Sequence, residues 1–185
     1  MKPPRRIFLS VLALLVLAGA VFALWYTRPQ SLEALCSELP LDLSDCDSIQ
    51  AQGSIHPGQT RSVPFSFTLT REDPAFSSLL AAFQDRSFSR SLASLLPRGT
   101  WYHAAQPGEF EWELIFQFDD PVLLPSGDTA VGALLSIRNF YGRVELSCGQ
   151  QTLRLSTRNL DAWLTEVMEL LNAAAPSGTS SEAAG

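Results

Sequence analysis

Residues 7–26 form an unbroken apolar run, and no other feature limits what this chain can fold into as strongly. Eighteen of those positions are apolar or glycine, and only Ser10 and the Tyr26 hydroxyl are polar. A helix of twenty residues rises about 30 Å, the thickness of a bilayer's hydrocarbon core. No charge interrupts the run, so no unpaired ion would have to enter hydrocarbon. A helix that is apolar on every side needs apolar surroundings on every side. The run therefore reads as a membrane-spanning helix and not as the core helix of a soluble protein.

The flanks give the helix a direction. Lys2, Arg5 and Arg6 precede the run, Trp25 and Tyr26 end it, and Arg28 follows. Basic residues are retained in the cytoplasm, and amphipathic rings favour the membrane interface. The expected layout is a cytoplasmic stub at residues 1–6, a signal-anchor helix at residues 7–27, and everything beyond on the outer side. The competing reading is a cleaved signal peptide, with small-x-small sites at Ala18-Gly19-Ala20 and Val21-Phe22-Ala23. It would release the same domain as a secreted protein. No cysteine follows these sites closely, which speaks against a lipoprotein anchor.

Charge divides the chain at the same place. The net charge is −6, yet all nineteen acidic residues lie at Glu33 or later. From Pro29 onward nine arginines stand against nineteen acids, leaving −10. Such a domain cannot bind nucleic acid by neutralising phosphates, and one span excludes a polytopic transporter. After residue 28 the chain has nine Arg and no Lys, with many Ala and Leu, a composition that suggests a bacterial chain from a GC-rich genome.

The spacing of apolar residues beyond Pro29 predicts one α+β domain over residues 30–173, with a mostly antiparallel sheet and helices packed on one face. Ser31 to Leu39 reads as a short helix with Ser31 as its N-cap. Ser48 to Ile55 and Arg61 to Thr70 read as strands, the second an edge strand because Pro64 lacks an amide hydrogen. Asp73-Pro74 opens a helix, and Phe88 to Leu96 has helical spacing. Phe110, Trp112, Leu114, Phe116 and Phe118 alternate with Glu111, Glu113, Ile115 and Gln117, as a half-buried strand requires. Ala130–Arg138, Val144–Leu146 and Leu153–Leu155 read as further strands, and Leu160 to Leu171 as an amphipathic helix. A sandwich or barrel-like sheet is the alternative architecture. Residues 174–185 are small and polar and read as a disordered tail.

The chemistry-bearing residues are few. The chain has three cysteines, Cys36, Cys46 and Cys148. Outside the cytoplasm a pair can oxidise, and Cys36 with Cys46, across the loop broken by Pro40, is the expected disulfide. A pairing through Cys148, or free thiols, are the alternatives. Asp42, Asp45 and Asp47 could offer oxygen ligands to calcium, but the pattern lacks the glycine and distal glutamate of an EF-hand loop and reads as a solvated loop. Glu109, Glu111 and Glu113 share one strand face. They could supply an acid–base pair for glycoside hydrolysis, or they could pair across strands with Arg138, Arg143, Arg154 or Arg158. No nucleophile elbow, zinc-ligand spacing or glycine-rich phosphate loop occurs, so no catalytic, metal or cofactor set is assigned. Aromatic residues near turns, Phe140 and Tyr141 together with Trp101 and Tyr102, are the candidate partner surface.

The expected function is that of a single-pass, membrane-anchored binding or structural module of the bacterial envelope. Its partners would be the lipid bilayer through residues 7–27 and an envelope protein or cell-wall material through the domain. An envelope hydrolase using Glu111 or Glu113 is one alternative. The other is an accessory subunit associating through its transmembrane helix, where Ala18, Gly19 and Ala20 permit close helix approach.

Overall fold

The computed structural model describes residues 5–36, 39–56, 62–95 and 108–175. Helix α1 runs from Arg5 to Tyr26. Its Leu9–Tyr26 stretch has a mean hydropathy of 2.3 and is only 6% buried against the rest of the protein. It is long and apolar enough to cross a membrane, and the domain offers its apolar surface no cover.

The domain beyond is an α+β unit built on seven antiparallel strands in the order β2-β1-β4-β7-β8-β9-β3. These are β1 (Ser48–Ile55), β2 (Val63–Thr70), β3 (Phe88–Arg90), β4 (Phe110–Phe118), β7 (Ala133–Phe140), β8 (Arg143–Cys148) and β9 (Gln151–Thr157). A separate two-stranded ribbon pairs β5 (Val122–Leu123) with β6 (Thr129–Ala130). Strand β2 is an edge strand, as Pro64 requires. Among the described residues the seven-stranded sheet ends in two edges, β2 and β3, and does not close into a barrel, and the only strands outside it are the two of the short ribbon, too few for the second layer of a sandwich. The other edge meets the apolar helix almost at once. Gln30 exchanges two backbone hydrogen bonds of 2.8 Å with Phe88 of β3, leaving Thr27 to Pro29 as the only residues between helix and sheet. The Arg90 guanidinium lies 5.8 Å from the centre of the Tyr26 ring.

Three helices complete the domain: α2 (Leu32–Leu35), α3 (Pro74–Gln84) and α4 (Leu160–Ala174). Leu79 and Phe83 of α3, with Trp163, Leu164 and Val167 of α4, meet the inward positions of β4, Trp112, Leu114 and Phe116. At the centre the Phe83 ring stands edge-on to Phe116 and Trp163, both at 5.4 Å, and Phe88 stands edge-on to Trp163 at 5.3 Å. Such crossings match the positive ring edge to a negative ring face.

Two expected helices differ from what the spacing implied. Ser31 does cap α2, its hydroxyl accepting from the Ala34 amide at 3.3 Å, but the helix stops at Leu35, and Leu39 reaches the core from the loop beyond. The Phe88–Leu96 stretch is strand β3 followed by a 3₁₀ turn over Leu92–Leu95. Phe88 is buried between two strands' worth of pairing, to Thr157 and Gln30, while Leu92 and Leu95 face solvent. Helical spacing and strand alternation coincide over so short a stretch, and sheet pairing prevails. Helix α4 extends to Ala174, into the segment expected to be tail. Residues 176–185 lie outside the described residues.

One glycine is required by packing. A Cβ on Gly53 of β1 would meet the Glu111 carbonyl, the tip of the Phe65 ring at 2.7 Å and the Trp112 Cα at 2.9 Å. Two of these neighbours are backbone and cannot yield, which leaves strand separation as the only relief. Gly53→Ala is expected to destabilise the domain by about 2 kcal/mol, read as a lower urea midpoint at unchanged slope. An unchanged midpoint would show that β1 and β4 are not this close.

Candidate functional site

The sheet has two faces of opposite character. Trp112, Leu114, Phe116 and Phe118 of β4 point to the helices, and the alternate residues Glu111, Glu113, Ile115 and Gln117 point the other way. On this polar face every residue of β1, β4 and β7 is half-buried or exposed, Ser54 apart. Antiparallel register sets its charges in a row. Glu113 lies opposite Arg138, Arg138 opposite Glu145, and Glu145 opposite Arg154. Opposite charges facing one another across neighbouring strands stabilise a sheet modestly, and the Arg154–Glu145 pair closes at 3.5 Å.

Glu113 is also held by neutral donors. Its Oε2 accepts from the Gln52 amide at 2.9 Å and its Oε1 from the Ser136 hydroxyl at 2.8 Å. Both oxygens are thus engaged by neighbouring strands. Glu111 accepts from the Ser54 hydroxyl at 3.1 Å. Between these strands lies a groove of about 340 Å³, lined among others by Gln52, Phe65, Ser66, Glu111, Glu113 and Arg138. Amide, hydroxyl, carboxylate and guanidinium together suit a polar ligand with both donors and acceptors, such as a sugar or an extended peptide.

At one end of the groove the hairpin between β7 and β8 brings in a second set. Phe140 pairs with Arg143, leaving Tyr141 and Gly142 as a two-residue loop with φ of 51° and 80°. Two positive φ values mark a type I′ turn, whose usual residues are Asn and Gly. A tyrosine in the left-handed region is disfavoured by about 1–2 kcal/mol. It is kept there by its surroundings. The Tyr141 hydroxyl is 3.1 Å from Nε2 of His56, its ring 5.8 Å from the imidazole, and the Phe140 ring packs 4.6 Å away. Beneath the loop the buried Asn139 uses both ends of its amide. Nδ2 donates to the Phe110 carbonyl at 3.2 Å, and Oδ1 accepts from the Gly142 amide at 3.0 Å. Partial burial of Tyr141, with the charges of Glu111 and Glu109, pushes its hydroxyl above the ordinary phenol range, so it stays a donor at neutral pH.

No family model matches the chain, and no curated protein or solved structure matches it.

Ser54, His56 and Glu111 carry the side chains of a nucleophile, a base and an orienting acid, but not in those roles. Ser54 Oγ is 3.4 Å from His56 Nε2, and the same nitrogen faces Tyr141. Glu111 takes its hydrogen bond from Ser54 itself, whereas a catalytic triad needs the acid on the opposite nitrogen of the imidazole. The cluster is a closed polar corner, well suited to hold a loop.

Of the sequence candidates, Phe140 and Tyr141 come together with Glu111 at this corner. Trp101 and Tyr102 lie outside the described residues. His56 and Ser54 were not singled out by the sequence, because each stands alone there and only the β1–β4 register joins them to Glu111. Cys36, Cys46 and Cys148 are all buried thiols. The Cys46 thiol donates to the Ser48 carbonyl at 3.3 Å, and burial pushes its pKa up to about 11. Interaction with Cys148, followed by burial, pushes the Cys36 thiol above its ordinary range. Two of the three aspartates near Cys46, Asp42 and Asp47, are spent on structure. Asp42 caps a 3₁₀ turn by accepting from the Ser44 amide and hydroxyl at 2.8 and 2.7 Å. Asp47 pairs with Arg71 at 3.2 Å and accepts from the Asp119 amide at 2.8 Å. Among the described residues no group of three or more His, Cys, Asp or Glu side chains is placed to hold a metal ion.

Proposed function

We propose that the chain is a single-pass protein of the bacterial cell envelope, with its N-terminus in the cytoplasm and an extracytoplasmic domain that binds a polar partner through the outer face of its sheet. The observation that carries this reading is the groove over Gln52, Glu111, Glu113 and Arg138 on the face turned away from α3 and α4. Binding is favoured over hydrolysis because both oxygens of Glu113 are already satisfied by Gln52 and Ser136. A general acid must release its proton to a substrate, and a carboxylate used to join three strands is poorly placed for that. The partner is an envelope protein or cell-wall material held near the membrane. With only Thr27 to Pro29 between α1 and the sheet, the anchor fixes the domain close to the bilayer, which raises its effective concentration for a neighbour there.

Two variants of the full-length protein in mild detergent test this. Arg138→Glu reverses one charge in the middle of the groove wall and is exposed, so the fold should survive. It is expected to weaken retention of the partner at least tenfold in co-purification from envelope extracts and in sedimentation with purified cell wall. Tyr141→Asn places a residue suited to the left-handed region in the turn, and is expected to leave thermal stability unchanged within about 1 kcal/mol while reducing binding. Partner retention that survives both variants, but is lost when α1 is replaced by an unrelated apolar span, would overturn this reading in favour of association through the helix.

A further inference from the structure

Three aromatic rings end α1. The Phe22 ring lies 6.3 Å from Trp25 and 5.7 Å from Tyr26, as side chains three and four apart on a helix can, so the three make one patch. Two guanidiniums rest against it. Arg28 lies 5.8 Å from the centre of the Trp25 ring, and Arg90 of β3 lies 5.8 Å from that of Tyr26. Rings of this kind sit at the headgroup level of a bilayer, which sets both cations at the depth of the lipid phosphates.

Neither cation is neutralised by the protein. Among the described residues Arg71, Arg86 and Arg154 pair with Asp47, Glu166 and Glu145 at 3.2 to 3.5 Å, whereas Arg28 and Arg90 form no ion pair. Arg90 is half-buried, and its Nε is covered without a hydrogen-bond partner. A charge drawn out of water needs a counter-charge. The domain carries nineteen acids and places none of the described ones within ion-pair distance of these two arginines. Along α1, next to the rings, runs a groove lined by Leu14, Leu17, Ala18, Val21, Phe22 and Trp25. Leu14, Ala18, Val21 and Trp25 follow one another on one helix face, with the small Ala18 in the middle.

We infer that these parts bind one anionic phospholipid, its acyl chain along the α1 groove and its headgroup phosphate at the Arg28 and Arg90 guanidiniums. The inference rests on the reading of α1 as a retained membrane span, and holds for either side of the membrane. Guanidinium N–H groups match phosphate oxygens in geometry as well as charge. A headgroup with its own cation, such as choline, would be opposed by the arginines. An acidic protein segment would meet the same cations, but the groove lies inside the span, where only a lipid chain or another helix can follow it. The bound anion also supplies what the domain lacks there, since an acidic domain held three residues from the bilayer is otherwise repelled by anionic headgroups.

The test uses the full-length protein in mild detergent, titrated with phosphatidylglycerol or with phosphatidylcholine of the same chain length, the bound species being counted by native mass spectrometry. The expected result is one phosphatidylglycerol per chain, preferred over phosphatidylcholine by about 25-fold, because each arginine at a membrane surface contributes about fivefold. Arg28→Gln and Arg90→Gln should each lower that preference about fivefold, and the double variant should abolish it. Arg71→Gln, which removes a cation beside β2 at the opposite edge of the sheet, should leave it unchanged. Ala18→Leu fills the groove without altering charge, and should weaken retention of both lipids alike by about fourfold, the worth of one methylene group of contact. If Arg90→Gln does not fold, Arg28→Gln and Ala18→Leu carry the test. Equal retention of the two lipids by the unmodified chain, or displacement of the lipid by inorganic phosphate, would overturn the lipid site and leave the anchor standing. A dimer without lipid would do the same, by putting a second α1 in the groove. Intact mass of the same sample checks the premise, and a chain beginning at Val21 or Leu24 would overturn anchor and site together.

Discussion

Trp163→Ala is expected to remove about 4 kcal/mol of stability, a large part of what a domain of this size has. Trp163 is fully buried among Phe83, Phe88 and Trp112, and its indole nitrogen donates to the Ala82 carbonyl at 3.1 Å. That one bond ties α4 to α3 as well as filling the space above β4. Trp112 occupies the same cluster on different terms. Its indole nitrogen is buried without a hydrogen-bond partner among the described residues, a cost already present in the folded protein. Phenylalanine makes the difference measurable. Trp163→Phe loses ring volume and the hydrogen bond and leaves the Ala82 carbonyl unpaired, whereas Trp112→Phe loses volume but relieves an unsatisfied donor. The first is expected to be the costlier by about 1–2 kcal/mol in urea unfolding. Equal costs would mean that the two indoles are equivalently bonded and that the helix-to-helix tie is not as described.

The second large effect concerns α1. Leu15 and Val16 lie near its middle, in a stretch that the domain leaves bare. Each arginine at the centre of a span costs roughly 3 kcal/mol on insertion scales. The double variant Leu15→Arg, Val16→Arg should therefore lose about 6 kcal/mol of insertion free energy, on the order of a ten-thousandfold change in partition. The expected outcome is loss of the protein from carbonate-washed membranes. A matched variant, Leu15→Ile with Val16→Ile, should stay. Retention of the arginine variant would mean that the domain or a partner, and not the apolar helix, holds the protein at the membrane.

How far the sequence revealed this architecture depended on the range of the interactions involved. Strands β1, β2 and β4 and helix α4 were legible because their alternation or amphipathic stripe runs long enough to exclude the other period. Pro64 marked its edge strand correctly, since a missing amide is a local fact with a global consequence. Phe88 to Leu96 was misread because three-residue strands have no period of their own, and what decides β3 is its pairing with Thr157 and Gln30. The site was legible only in part. Glu111 and Glu113 could be placed on one face, and cross-strand pairing with Arg138 was foreseen as a possibility of that face. The joining of Ser54, His56 and Tyr141 was not, because it depends on the register between β1 and β4 and on a turn in which a tyrosine occupies a place that favours asparagine.

The account stands on an intact anchor with the domain outside. Its most direct test is the mass of the membrane-bound protein from sealed spheroplasts, measured before and after external protease. The expected result is a chain beginning at Met1 before treatment, and afterwards a fragment retaining residues 1–26 with the acidic domain removed. A mature species beginning at Val21 or Leu24, or a domain that protease cannot reach until the membrane is dissolved, would contradict it.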